Sequence, residues 1–326
     1  MFLRIYGCLV VTVATASFAT DASCQDLFRP YLETEYRGSS LRSVGQGNAF
    51  IPVHQERRTL LFADVRGLFT DGDESEGNCG FGYRRIVDDA FIFGFNGFFD
   101  YRHTASGNSF AQGTGGLELL GVDWGLRANG YIPDDSVRSA GSRVVLAANS
   151  ISLITDLEAA YYGGDLEAEA RVWSWSGRGE NDDFACDAGG CLNPAADWDA
   201  EIWSSAGLFG FDHDDDRFES IAGPRVRAEL RLFDLPGLGI DSRVVIAGQY
   251  EHDDVRGSVG TGSVTVRVPL SGLFGIGPPA RRRLTGLDRR MVAPVVRDVD
   301  IVTNAISAAE GVLFADSGIA VSGATV

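Results

Sequence analysis

Between Pro30 and Leu270 apolar and polar residues alternate, run after run. In FIFGFNGFFDYRH, Phe91, Phe93, Phe95, Gly97, Phe99 and Tyr101 share one face, and Ile92, Gly94, Asn96, Phe98, Asp100 and Arg102 share the other. A period of two places successive side chains on opposite sides of a strand, so one face is apolar and the other mixed and wet. The pattern recurs with a charged second face. Val226, Ala228, Leu230 and Leu232 oppose Arg225, Arg227, Glu229 and Arg231, and Leu166, Ala168 and Ala170 oppose Glu167, Glu169 and Arg171. Val264, Val266 and Val268 likewise oppose Thr265 and Arg267. Short turn signals such as Asp88-Asp89 and longer polar stretches separate the runs. Runs of about ten residues predict about twelve strands, with Ser39–Val53 and Arg143–Gly163 each open to reading as one strand or two.

Alternation alone also fits a soluble sandwich. Three features favour an all-β transmembrane antiparallel barrel instead: long strands, aromatics near strand ends, and a polar face that mixes Arg with Glu. In a barrel the apolar face meets lipid and opposite charges pair across a wet lumen. Val226, Leu230, Val264 and Val266 are then expected to face lipid.

The N-terminus changes the setting. Arg4, an apolar run from Ile5 to Ala16 and the small-x-small Ser17-Phe18-Ala19 read as a cleaved signal peptide over residues 1–22. No later stretch is long and apolar enough for a membrane helix. Cys24 raises a lipoprotein alternative, against which Asp21 stands. A net charge of −17 with no lysine argues against nucleic acid as a partner. Cys186 and Cys191 flank an Asp- and Gly-rich stretch, open to a small disulfide loop in an oxidising compartment, to two free thiols, or to a metal site for which no histidine lies nearby in sequence. Because long barrel loops lie outside, the segment Ser176–Trp198 that holds them is expected at the cell surface.

Gly94-Phe95-Asn96-Gly97-Phe98-Phe99-Asp100-Tyr101 resembles the G-Y-N-x-F-F-D-Y signature of the inverse autotransporter β-domain, the membrane anchor of intimin- and invasin-type adhesins. Phe50–Gly67, the GFGYR strand with its acidic turn, Gly115–Pro133 and LDRRMVAPVVRDVDIV (Leu287–Val302) follow in the family's order. The resemblance implies a barrel over residues 23–270 and a segment over 271–326 that turns back through the lumen as a linker with a short C-terminal tail. Its implied residues are Gly94, Asn96, Phe99, Asp100 and Tyr101 on the motif strand and Arg289, Arg290, Pro294 and Arg297 on the linker. Implied partners are outer-membrane lipid, the barrel-assembly machinery and a host or neighbour-cell surface ligand. No cofactor is implied.

The linker chemistry fits a lumen of acidic strands, since Arg281, Arg282, Arg283, Arg289, Arg290 and Arg297 outnumber Asp288, Asp298 and Asp300. Arg289, Arg290 and Arg297 are expected to pair with Glu167, Glu169 and Glu229. Each such wet pair contributes on the order of 1 kcal/mol, so no single one should decide whether the linker stays. No immunoglobulin-like stretch is recognisable after Val302, so anchoring is better supported than adhesion. Three functions compete: an anchor that threads its C-terminus outward, a diffusion porin with an open lumen, and an outer-membrane hydrolase. The arginine-rich segment after the last strand favours the first over the second. The four histidines form no visible acid-base pair, and the chain is expected not to be an enzyme.

Overall fold

The computed structural model describes residues 27–40, 42–134, 136–147, 150–177, 198–270, 283–298 and 301–315. The signal segment, Cys186, Cys191, Arg281 and Arg282 lie outside the described residues.

Each alternating run forms a strand. The first seven are β1 (Tyr31–Ser39), β2 (Ser43–Gln55), β3 (Thr59–Thr70), β4 (Ser75–Val87), β5 (Phe91–His103), β6 (Ser109–Leu120) and β7 (Trp124–Pro133). After β8 (Arg138–Ala147) and β9 (Ser150–Ala160) come β10 (Tyr162–Ser176), β11 (Asp199–Asp212), β12 (Ile221–Phe233), β13 (Arg243–Asp253) and β14 (Gly257–Pro269). A short helix α1 (Gly286–Met291) and β15 (Thr303–Ala315) complete the described chain. Twelve strands close into an antiparallel barrel, with β1 against β14 and β7 directly against β10.

The stretch Arg143–Gly163, left open by the pattern, joins the barrel wall only at its end, where Tyr162 and Gly163 begin β10. It holds parts of β8, β9 and β10, and the β8–β9 hairpin leaves the barrel between β7 and β10 to form a separate sheet in the order β15-β9-β8. The reason is visible in the composition. The wall strands alternate cleanly, whereas SRVVLAANSISLI interrupts its apolar residues irregularly and cannot present one lipid face. Part of the segment expected as a short C-terminal tail, Thr303–Ala315, is the strand β15 of this sheet.

Facing follows the alternation. On β5, Ile92, Asn96, Phe98, Asp100 and Arg102 are buried inside, while Phe93, Phe95, Phe99 and Tyr101 are exposed outside. Val226 is 50% exposed and Val264 45%, and Leu230 and Val266 share their outward faces. Because neighbours alternate in direction, β1 starts and β14 ends at one rim, here the proximal rim. The β8–β9–β15 sheet stands at the distal rim. Ser176 and Asp199 are also proximal, and residues 178–197 of the loop expected at the cell surface lie outside the described residues.

The buried core lies inside the barrel. Near the proximal rim, Phe28, Tyr31, Phe50, Leu60, Phe62 and Ile92 pack with Leu284, Met291, Val292 and Val295. Near the distal rim, Tyr131, Tyr161, Phe209, Phe211 and Phe218 pack with Val302 and Ile306.

Candidate functional site: the lumen and the segment within it

The described residues 284–298 and Ile301 lie largely against the β1–β7 side of the lumen. A chain buried inside a barrel must find partners for its backbone groups, since an unpaired buried carbonyl costs about what a lost hydrogen bond would. Wall arginines meet most of this need. Arg84 Nη1 donates to the carbonyls of Met291 (2.8 Å) and Ala293 (2.5 Å), and Arg267 Nη1 to that of Val292 (3.0 Å). Arg66 Nη2 donates to the carbonyl of Val295 (2.9 Å), and Arg102 Nη1 to that of Ile301 (2.7 Å). Tyr31 Oη and Asn129 Nδ2 donate to the carbonyls of Val292 and Val296. In return, Tyr131 Oη accepts from the Asp298 amide and Glu76 Oε2 from the Ile301 amide.

These wall arginines are held in place by acids of their own. Arg84 is completely buried between Glu118, at 2.9 Å, and the Phe62 ring. Arg66 pairs bidentately with Asp64 at 2.9 Å. Glycines make room for them: a Cβ on Gly82 would sit inside the Phe62 ring, and one on Gly94 would press on Arg84 and Glu118.

The linker's own arginines return the charge pairing. Arg297 makes two bonds to Asp100, 2.8 Å and 3.0 Å long, and stacks at 4.1 Å on Phe98. Both side chains of the pair are fully buried. Asp100 also accepts from Asn78, Thr114 and Gln112, so its two oxygens are held by a crowded set of donors. Arg290 pairs with Glu169, and Arg289 with Asp199 (2.7 Å) and Glu201 (3.2 Å).

Of the three expected acids, only Glu169 receives a linker arginine. Glu167 turns to Arg127, and Glu229 to Arg227 and Arg231, because these wall residues lie on neighbouring or same-strand positions already within reach. The lumen wall carries buried arginines as well as acids. The motif residues divide by face: Asp100 grips the linker, Gly94 leaves space, and Phe99 and Tyr101 face outward. Asn96 points inward, with no side-chain partner for either amide atom among the described residues. Pro294 is half-buried beside the lumen's remaining cavity, where its missing N–H needs no acceptor. The carbonyl-gripping arginines were not singled out from sequence; the signal was their even, lumen-facing register.

At the distal rim the linker passes into β15. The Tyr161 amide donates to Val302 O, and β15 continues antiparallel along β9 with Ile306 opposite Leu157. Arg143 binds Asp156 at 2.8 Å and Ser307 at 3.1 Å. Where β7 leaves the barrel, Asp134 accepts from the Ala111 amide, the Ser136 hydroxyl and Arg138. Partial burial opposes ionisation of Asp134, but these donors outweigh it and hold the carboxyl below its usual range.

A family model described as "Inverse autotransporter, beta-domain" matches residues 28–178, which run from the proximal core through β10. No curated protein matches the sequence. A solved structure from a study of the in-meso crystallization of membrane proteins is 14% identical, covering 86% of this chain and 100% of that one, with a TM-score of 0.52. That likeness concerns the barrel fold. The β-domain of the Bordetella autotransporter BrkA is 10% identical over 74% of this chain and 98% of its own, with a TM-score of 0.35. The translocator domain of the autotransporter NalP from Neisseria meningitidis is 11% identical over 74% and 87%, with a TM-score of 0.34.

Proposed function

We propose, from the premise that this chain belongs to the inverse autotransporter β-domain family and forms an outer-membrane barrel, that it anchors and delivers its own C-terminal segment to the cell surface. The proximal rim is then periplasmic and the distal rim external. The observation that carries this reading is the direction of the linker. β14 ends at the proximal rim, yet Val302 and β15 stand at the distal rim, and of the described residues between them Val292, Val295 and Ile301 are bound at their carbonyls inside the barrel.

The grip is chemically suited to a passing chain. Arginine donors on carbonyls hold a backbone whatever its side chains, whereas the Arg297–Asp100 and Arg290–Glu169 pairs fix one register. Transit would therefore be tolerant of sequence until the arginines arrive. Adhesion to a host or neighbouring cell belongs to this reading only as a role for whatever the C-terminus displays, and the role assigned to the barrel is anchoring rather than catalysis. A diffusion porin is the second reading. Planar-bilayer conductance of the refolded chain decides between them: the anchor reading expects a low conductance that rises when residues 278–326 are deleted, and a high, unchanged conductance would favour the porin.

A further inference from the structure

The linker occupies one side of the lumen, and beside it lies a cavity of about 410 Å³ along β1, β2 and β12–β14. A single water needs only about 10–15 Å³ of such space, so the cavity can take a hydrated solute. Its lining runs from Ser39, Arg42 and Arg256 at the distal rim to Arg231, Arg243 and Ala293 deep inside. Twelve arginines and five carboxylates line it, in a chain whose net charge is −17.

At its deep end the cationic excess becomes specific. Glu33, Arg267 and Arg243 stand in one row across β1, β14 and β13. Both guanidiniums donate to the same oxygen, Glu33 Oε2, at 2.9 Å each, so two cations share one carboxylate. Like charges directly opposite on adjacent strands repel. Among the described residues, Arg243 Nε and Arg267 Nη2 have no acceptor, nor does Arg290 Nε across the same space. All three residues are more than nine-tenths buried. Arg231, Arg243 and Arg290 also line a recess of about 40 Å³ behind the cavity, together with Arg267 and Arg289.

We propose that this deep end is a binding site for a small oxyanion of the phosphate or sulfate class, seated among Arg231, Arg243, Arg267 and Arg290 and reached from the distal rim. Unpaired guanidinium donors suit an oxyanion, whose several oxygens accept from several forks at once and whose charge offsets the surplus cation. The site is independent of whether the C-terminus is displayed.

The test uses the full chain refolded in detergent. Phosphate is titrated against chloride at matched ionic strength, and thermal unfolding is followed together with the fluorescence of Trp203, which lies under Arg231 at 4.4 Å and Arg290 at 4.7 Å. Wild type should give a saturable rise in Tm and a matching fluorescence change. R243Q should weaken the apparent affinity at least tenfold. Val245→Glu, between Arg231 and Thr265 on the lumen face, supplies a fixed carboxylate and should remove the phosphate response. A wild-type response that is absent, or linear in phosphate without saturation, overturns the site. So does an undiminished response in R243Q or, if that variant fails to fold, in Val245→Glu.

Discussion

A single buried pair decides more than its neighbours. Asp100 and Arg297 are both fully enclosed, so the wet-pair value of about 1 kcal/mol does not apply to them, and removing one partner strands a buried charge. Asp100→Asn should destabilise docking of the linker by about 3–5 kcal/mol, read as faster hydrogen exchange over residues 292–298 and a lower denaturant midpoint. Adding Arg297→Gln should restore part of the loss, because the stranded cation is gone. Arg289 pairs in a more open setting and its loss should matter less. The sequence made Asp100 legible through its motif, but not its partner. Spacing along the chain carries no information on which of 326 residues meets a given lumen position. Arg66, Arg84 and Arg267 escaped notice for a related reason: an inward arginine on an alternating strand looks like any lumen residue until the chain it holds is in place.

Elements were far easier to read, because a two-residue period is a local property. The outward faces of β12 and β14 follow the alternation, and Leu230→Arg at mid-membrane should cost about 2–4 kcal/mol. Thr261→Arg, pointing into the cavity, should refold nearly as well as wild type in lipid vesicles. The β8–β9 hairpin was less legible, since its weak alternation could equally continue the wall. Its pairing with β15 has a parity that can be tested. The Tyr161–Val302 bond places Ala159 and Asn304, then Leu157 and Ile306, in hydrogen-bonded pairs. Asn304→Pro should therefore loosen β15 and raise exchange along β9, whereas Ala305→Pro, whose N–H faces the free edge, should be tolerated. At the base of the hairpin, Asp134 has a lowered pKa, so its stabilising contribution is complete above the unfolded value of 3.8 and fades as the pH falls through the folded one. Exchange at Ser136–Arg138 should rise in that acid window, and Asp134→Asn should flatten the dependence.

On the scale of the molecule, the barrel has an apolar cluster at each rim, the proximal one packed on Leu284–Val295 and the distal one on Val302 and Ile306. The wall from β1 to β7 provides most of the contacts with the linker, and the β12–β14 side keeps the cavity. Filling the lumen asymmetrically lets one chain be held firmly while water-accessible volume remains beside it. The central claim is the external position of β15, and site-specific thiol labelling tests it most directly. Ala305 is exposed, so Ala305→Cys should react with a membrane-impermeant maleimide on intact cells, with the modified site identified by peptide mapping. Labelling at position 305 on intact cells is the predicted result. Labelling there only after the outer membrane is ruptured would place β15 in the periplasm and contradict the account.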